Sequence, residues 1–100
     1  MPKVNVNVPH SLGRDEAMRR MKEKRTVVEG FEAAGAKIVN ETWLDYGYQM
    51  TAEMMGGKVL LEIDAEESEV TAKVELPLVL MLAQEIIRGR LESGLRELLV

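Results

Sequence analysis

Val70-Thr71-Ala72-Lys73-Val74-Glu75-Leu76-Pro77-Leu78-Val79-Leu80-Met81-Leu82-Ala83 changes its period at Pro77. Before the proline, Val70, Ala72, Val74 and Leu76 alternate with Thr71, Lys73 and Glu75, the pattern of a strand with one buried face. After it the chain reads as a helix to about Leu99: at about 3.6 residues per turn, Leu80, Ala83, Ile87, Leu91, Gly94 and Leu98 share one stripe. Pro77 suits the first helical position, where its missing N–H leaves nothing unsatisfied. A second stripe, Leu78, Leu82 and Ile86 with Met81 beside them, points roughly the other way, where a surface helix turns polar. Two readings are open: the first helix covers it as core, or it stands exposed for a partner.

Working back from that corner, Val59, Leu61 and Ile63 alternate with Lys58, Leu60 and Glu62, and Ala65-Glu66-Glu67-Ser68 closes the hairpin onto the last strand. Gly56-Gly57 is read as the preceding tight turn, its glycines supplying positive φ. Asp45-Tyr46-Gly47 joins strands over Ile38 to Leu44 and Tyr48 to Met54. A helix from Arg14 to Ala34 comes earlier, with Ala17, Met21, Lys24, Val28, Phe31 and Gly35 on one face and Ser11 or Gly13 as its N-cap. Lys24 is read as snorkelling, its stem on apolar neighbours and its ammonium in water. The charged outer face reads as solvated, with Asp15–Arg19 and Glu16–Arg20 as i,i+4 pairs, or as an anion-attracting patch. Val4, Val6 and Val8 alternate with Asn5 and Asn7 in a first strand, whose place in the sheet the pattern leaves open. The order β-α-β-β-β-β-α predicts an α+β two-layer sandwich, a mainly antiparallel sheet with two helices packed on one face.

The 100 residues fit one domain, residues 1–100, with a single core. A net charge of −4 opposes the phosphate neutralisation on which nucleic-acid binding depends, so no nucleic-acid partner is expected. Cysteine is absent, which removes disulfides, thiol nucleophiles and thiolate metal sites and fits a reducing cytoplasm. Met1-Pro2-Lys3-Val4-Asn5 lacks a secretory pattern, and Gln84 and Glu85 interrupt the longest apolar run, so neither a leader nor a transmembrane segment is expected.

Pro9-His10-Ser11-Leu12-Gly13 followed by Glu16-Ala17, Trp43 with Asp45, Gly57 before an alternating strand, and Val74-Glu75-Leu76 leading into the last helix carry a likeness that covers nearly the whole chain. On these residues it resembles the polyhydroxyalkanoic acid system family, small bacterial proteins encoded near genes for storage-polyester metabolism. The family's Trp-x-Gly-Asp is replaced here by Trp43-Leu44-Asp45-Tyr46-Gly47, and the glycine expected near Met54 is absent. The resemblance implies a cytoplasmic accessory protein working at or near polyester granules, with no catalytic residues to carry over.

Among candidate residues, His10 is the sole histidine, and a histidine metal site or triad would need it. It reads as a capping and turn residue; no catalytic residue, metal site or cofactor is expected. The Glu66-Glu67-Glu69 cluster has no calcium-loop spacing. Trp43, Tyr48 and Met50 are either packing residues or the mouth of a lipophilic pocket between sheet and C-terminal helix. Two functions follow. One is a non-enzymatic accessory protein that docks through Leu78, Met81, Leu82 and Ile86 to a polyester granule, a protein partner or a second copy of the chain. The other is a carrier of a small acyl ligand near Trp43.

Overall fold

A computed structural model describes residues 3–100; Met1 and Pro2, part of the stretch read for a leader, lie outside it. The elements are β1 (Lys3–Pro9), α1 (Arg14–Glu23), α2 (Thr26–Ala33), β2 (Lys37–Leu44), β3 (Gly47–Met54), β4 (Gly57–Ala65), β5 (Glu69–Glu75), a 3₁₀ segment (Leu78–Ala83) and α3 (Gln84–Leu99). The five strands form one antiparallel sheet in the order β1-β5-β4-β3-β2. Helices pack on one face, giving the expected α+β sandwich. The first strand lies beside β5, so the sheet closes its far edge with the chain's earliest segment.

The register aligns residues in rows across the sheet. Val6, Ala72, Ile63, Tyr48 and Trp43 are successive cross-strand partners, as are Val4, Val74, Leu61, Met50 and Glu41. In each row the first four residues are buried and the fifth, on β2, is exposed. Leu91, Leu95, Leu98 and Leu99 of α3 and Ala17, Met18, Met21, Val28 and Phe31 of the first two helices complete this core. Leu95, outside the expected α3 stripe, is fully buried, whereas Ala83, Ile87 and Gly94 of that stripe are half-buried.

Four local outcomes differ from the sequence reading. The single helix over Arg14 to Ala34 is two helices. Lys24 takes extended angles (φ −116°, ψ 117°) and ends α1. The apolar stripe has a lysine at that turn, inside the charged run Lys22-Glu23-Lys24-Arg25, and β-branched Thr26, Val27 and Val28 follow, so neither burial nor propensity holds one straight helix there. Lys24 thus caps the end of α1, exposed overall but bordering the apolar space lined by Met21, Val28 and Leu98.

The β3–β4 turn is made by Met55 (φ 51°) and Gly56 (φ 79°), both positive as a two-residue hairpin requires. Gly57 has a different task. A Cβ there would sit 2.4 Å from the Pro77 Cβ, so the strand must pass the proline without a side chain. Pro77 itself is extended (φ −68°, ψ 155°) and precedes the helical segment instead of opening it; its carbonyl accepts the Leu80 N–H.

Gly13 is the N-cap of α1, and the Arg14 N–H is met by the Glu67 side chain across from the β4–β5 hairpin. On the solvent face Glu16 bonds both Arg19 and Arg20, while Arg19 also reaches Glu23, so the Asp15–Arg19 pair is replaced by an i,i+3 and i,i+4 network. These hydrogen bonds, from Arg19 first and Arg20 second, hold the Glu16 carboxyl down at about 2 against an ordinary 4.5.

A depressed carboxyl stabilises the fold above its unfolded value and loses that effect as pH falls toward the folded one. Glu16→Gln is therefore expected to flatten the acid limb of the stability curve between pH 4.5 and about 2, read by urea unfolding at each pH. Gly57→Ala, which overpacks against Pro77, should cost about 1–3 kcal/mol in the same measurement. Gly89→Ala in α3, where a Cβ meets nothing within 4 Å, should gain up to ~1 kcal/mol of helix propensity.

Candidate functional site

The corner after β5 carries the most unusual surface. Leu80 turns inward and is buried, and the residues around it on the 3₁₀ segment point out. Side chains in a 3₁₀ helix repeat every three residues, so one inward position leaves its neighbours unburied. Leu82 is 99% exposed, and Leu78, Val79, Met81 and Ile86 are between 47 and 67% exposed. No charged residue occurs from Leu76 to Gln84. Of the two readings of the Leu78, Leu82, Ile86 stripe, coverage by the first helix is excluded. α1 and α2 part at Lys24, and α2 packs beside α3 through Thr26 and Val27 at Gly94, well past this corner.

The second candidate group is differently placed. Trp43 and Tyr48 are cross-strand partners on the helix-side face, ring centroids 4.5 Å apart and planes at 46°. Tyr48 and Met50 are buried; Trp43 lies at the rim with the Lys22 ammonium 5.8 Å from its ring. The Tyr48 hydroxyl donates to the Glu41 carboxylate, which also accepts from Arg25 just after the helix break. Burial pushes the Tyr48 hydroxyl up, with Arg25 opposing. The space beside Trp43 and Tyr48 is a void of about 20 Å³, lined also by Val28 and Leu95, and Met50 does not reach it. Such a volume holds about one water. The expected pocket mouth is therefore a closed packing contact, because the Tyr48–Glu41–Arg25 chain ties α2 to the sheet edge and Trp43 covers it.

A larger space lies elsewhere. A crevice of about 570 Å³ runs between α2 and α3, with Phe31 and Met54 among the residues that line it, and Ile86 belongs both to it and to the exposed stripe. Gly30 and Gly89 flank it with open space where a Cβ would be. Nothing in the local pattern around Gly89 marks it as a crevice residue; its position there depends on where α2 lies.

His10 is buried and both ring nitrogens are engaged. Nδ1 accepts the Leu12 N–H at 3.1 Å and Nε2 lies 3.1 Å from the Glu66 carbonyl, an arrangement that suits the neutral ring protonated on Nε2. Its own backbone N–H donates to the Ser68 carbonyl. It clamps the turn before α1 to the β4–β5 hairpin, with no lone pair free for a metal or a proton transfer. The neighbouring acidic cluster is divided in use: Glu67 meets the Arg14 N–H, and a hydrogen bond between the Glu66 and Glu69 carboxyls holds Glu66 above its ordinary range. No group of three His, Cys, Asp or Glu residues among the described residues is placed to hold a metal. No helix among them is long and apolar enough to cross a membrane.

No protein-family model and no curated protein matches the chain. A solved structure, that of TTHA0849 from Thermus thermophilus, aligns over 98% of this chain and 97% of its own with 16% identity and a TM-score of 0.44.

His10→Ala, which strands the Leu12 N–H and the Glu66 carbonyl, is expected to lower stability by about 1–3 kcal/mol in chemical denaturation.

Proposed function

We propose that the protein is a non-enzymatic accessory protein that docks on an apolar surface through the corner between β5 and α3, with Leu78, Met81, Leu82 and Ile86 as its contacts. The observation that carries this reading is Leu82, a leucine 99% exposed within a run without charge. Scattered apolar side chains on a surface need no explanation, but a contiguous set does. Completing the burial of Leu78, Val79, Met81, Leu82 and Ile86 would contribute roughly 5–10 kcal/mol gross. That is comparable with the ~4–15 kcal/mol that association costs, which supports reversible attachment.

The surface offered by the family resemblance is the storage-polyester granule in the cytoplasm. A polyester particle presents methylene and methyl groups over a wide area and needs no shaped counterpart, which suits a convex corner. A protein partner or a second copy would take the same contacts.

The test is co-sedimentation of the purified protein with polyhydroxyalkanoate particles, beside a Leu82→Glu, Ile86→Glu variant. Both positions are on the surface, so the variant should keep its unfolding free energy within about 0.5 kcal/mol. The wild type is expected in the pellet and the variant in the supernatant. Equal sedimentation of both, or of neither, rejects granule docking through this corner.

A further inference from the structure

We infer that the crevice between α2 and α3 is a binding site for a single aliphatic acyl chain, with Arg90 holding its carboxylate. The site shares only Ile86 with the proposed docking contacts and does not depend on granule docking.

The crevice has the shape of a V. At one end the helices touch: a Cβ on Gly94 would meet the Val27 Cγ2 at 3.6 Å. At the other end they part, and Gly89 on α3 and Gly30 on α2 both face open space. A glycine within a helix is unfavourable, and Gly94 has an intramolecular reason in its contact with Val27. Gly30 and Gly89 have none, yet both border the same empty volume. What they leave is a slot lined by Phe31, Met54, Ile87 and Leu91, aliphatic apart from one ring and adaptable at the methionine.

Size and charge select the occupant. At about 1.5 Å per residue, the stretch of α3 from Ile86 to Gly94 is roughly 12 Å long, the reach of a medium-length alkyl chain. A volume of about 570 Å³ falls within the ~300–1,000 Å³ of small-molecule sites, which are mostly apolar with a few polar groups. Three charged side chains line the crevice. Glu85, toward the open end, lies 3.6 Å from Arg88, and Glu97 lies beyond the point where the helices touch. Arg90, between them, makes no ion pair among the described residues. Its guanidinium, with the Ser93 hydroxyl one turn on, gives a carboxylate two donors of the right kind.

The probes are decanoate and decanol, titrated by calorimetry below their aggregation limits. Wild type should bind decanoate saturably at one site per chain. Gly89→Leu, whose Cβ has open space and whose longer side chain would occupy the slot, should weaken binding more than tenfold while leaving the thermal midpoint unchanged or raised. Arg90→Gln should lose about tenfold for decanoate and nothing for decanol. The Leu82→Glu, Ile86→Glu variant replaces one residue of the slot's open end, and Leu82→Glu alone, outside the slot, should bind as the wild type does. Absence of saturable binding from octanoate to tetradecanoate overturns the inference, as does binding that Gly89→Leu leaves intact. Sedimentation equilibrium showing a wild-type dimer that Gly89→Leu converts to monomer would also overturn it, assigning the crevice to a second copy of the chain.

Discussion

The helix-side face of the sheet has to be kept from water, and only two helix widths are available to cover it. Five strands spaced about 4.8 Å apart span roughly 19 Å between the outer backbones, and each helix is about 10 Å across. α3 takes the side toward β1, where Arg88 reaches the Asn5 carbonyl, and α1 with α2 takes the rest. The rows of cross-strand partners show where the cover ends. Val6, Ala72, Ile63 and Tyr48 are buried, and Trp43 is at the rim; Val4, Val74, Leu61 and Met50 are buried, and the fifth place holds Glu41. A carboxylate is tolerated there because the fifth strand lies outside the lid, and it serves as the tie between Tyr48 and Arg25.

The break at Lys24 follows from the same need. One straight helix over Arg14 to Ala34 could lie along a single line on the sheet, whereas two shorter helices place Ala17, Met18 and Met21 over one part of the core and Val28 and Phe31 over another. α2 then meets α3 at Gly94 and diverges from it, which leaves the crevice by Gly30 and Gly89. Its end reaches Met54 and the hairpin whose Gly57 is pressed on Pro77, so the sheet, the crevice and the exposed corner are joined at one end of the molecule.

That corner is shaped by the chain's need to leave β5 and cross the sheet. Pro77 keeps the extended geometry of the strand it follows, Gly57 lets the hairpin approach it, and the 3₁₀ segment reverses direction with only Leu80 turned inward. Leu78, Val79, Met81 and Leu82 are apolar at positions the fold does not bury. The apolar surface that remains is divided between this corner, the docking surface proposed above, and the crevice between α2 and α3, the ligand site proposed above.

The α+β class, the strand order along the chain and the antiparallel hairpins were legible in the residues, because alternation, glycine turns and the proline at the last corner are local signals. The contribution of Met18 and Leu95 to the core was not, since each lies just off the stripe that an ideal straight helix would bury. Whether the Leu78, Leu82, Ile86 stripe was core or surface could not be decided locally either; it depends on where α2 points, and that depends on a helix end without glycine or proline to mark it. The pairing of Trp43 with Tyr48 followed from the hairpin register, but closure of the space beside them required Arg25 and Glu41, distant in sequence, to meet. Local periodicity thus determined which segments are strands and helices. Only the tertiary structure decided which apolar side chains are left without cover, because that is set by the width of the sheet and the number of helices available to lie on it.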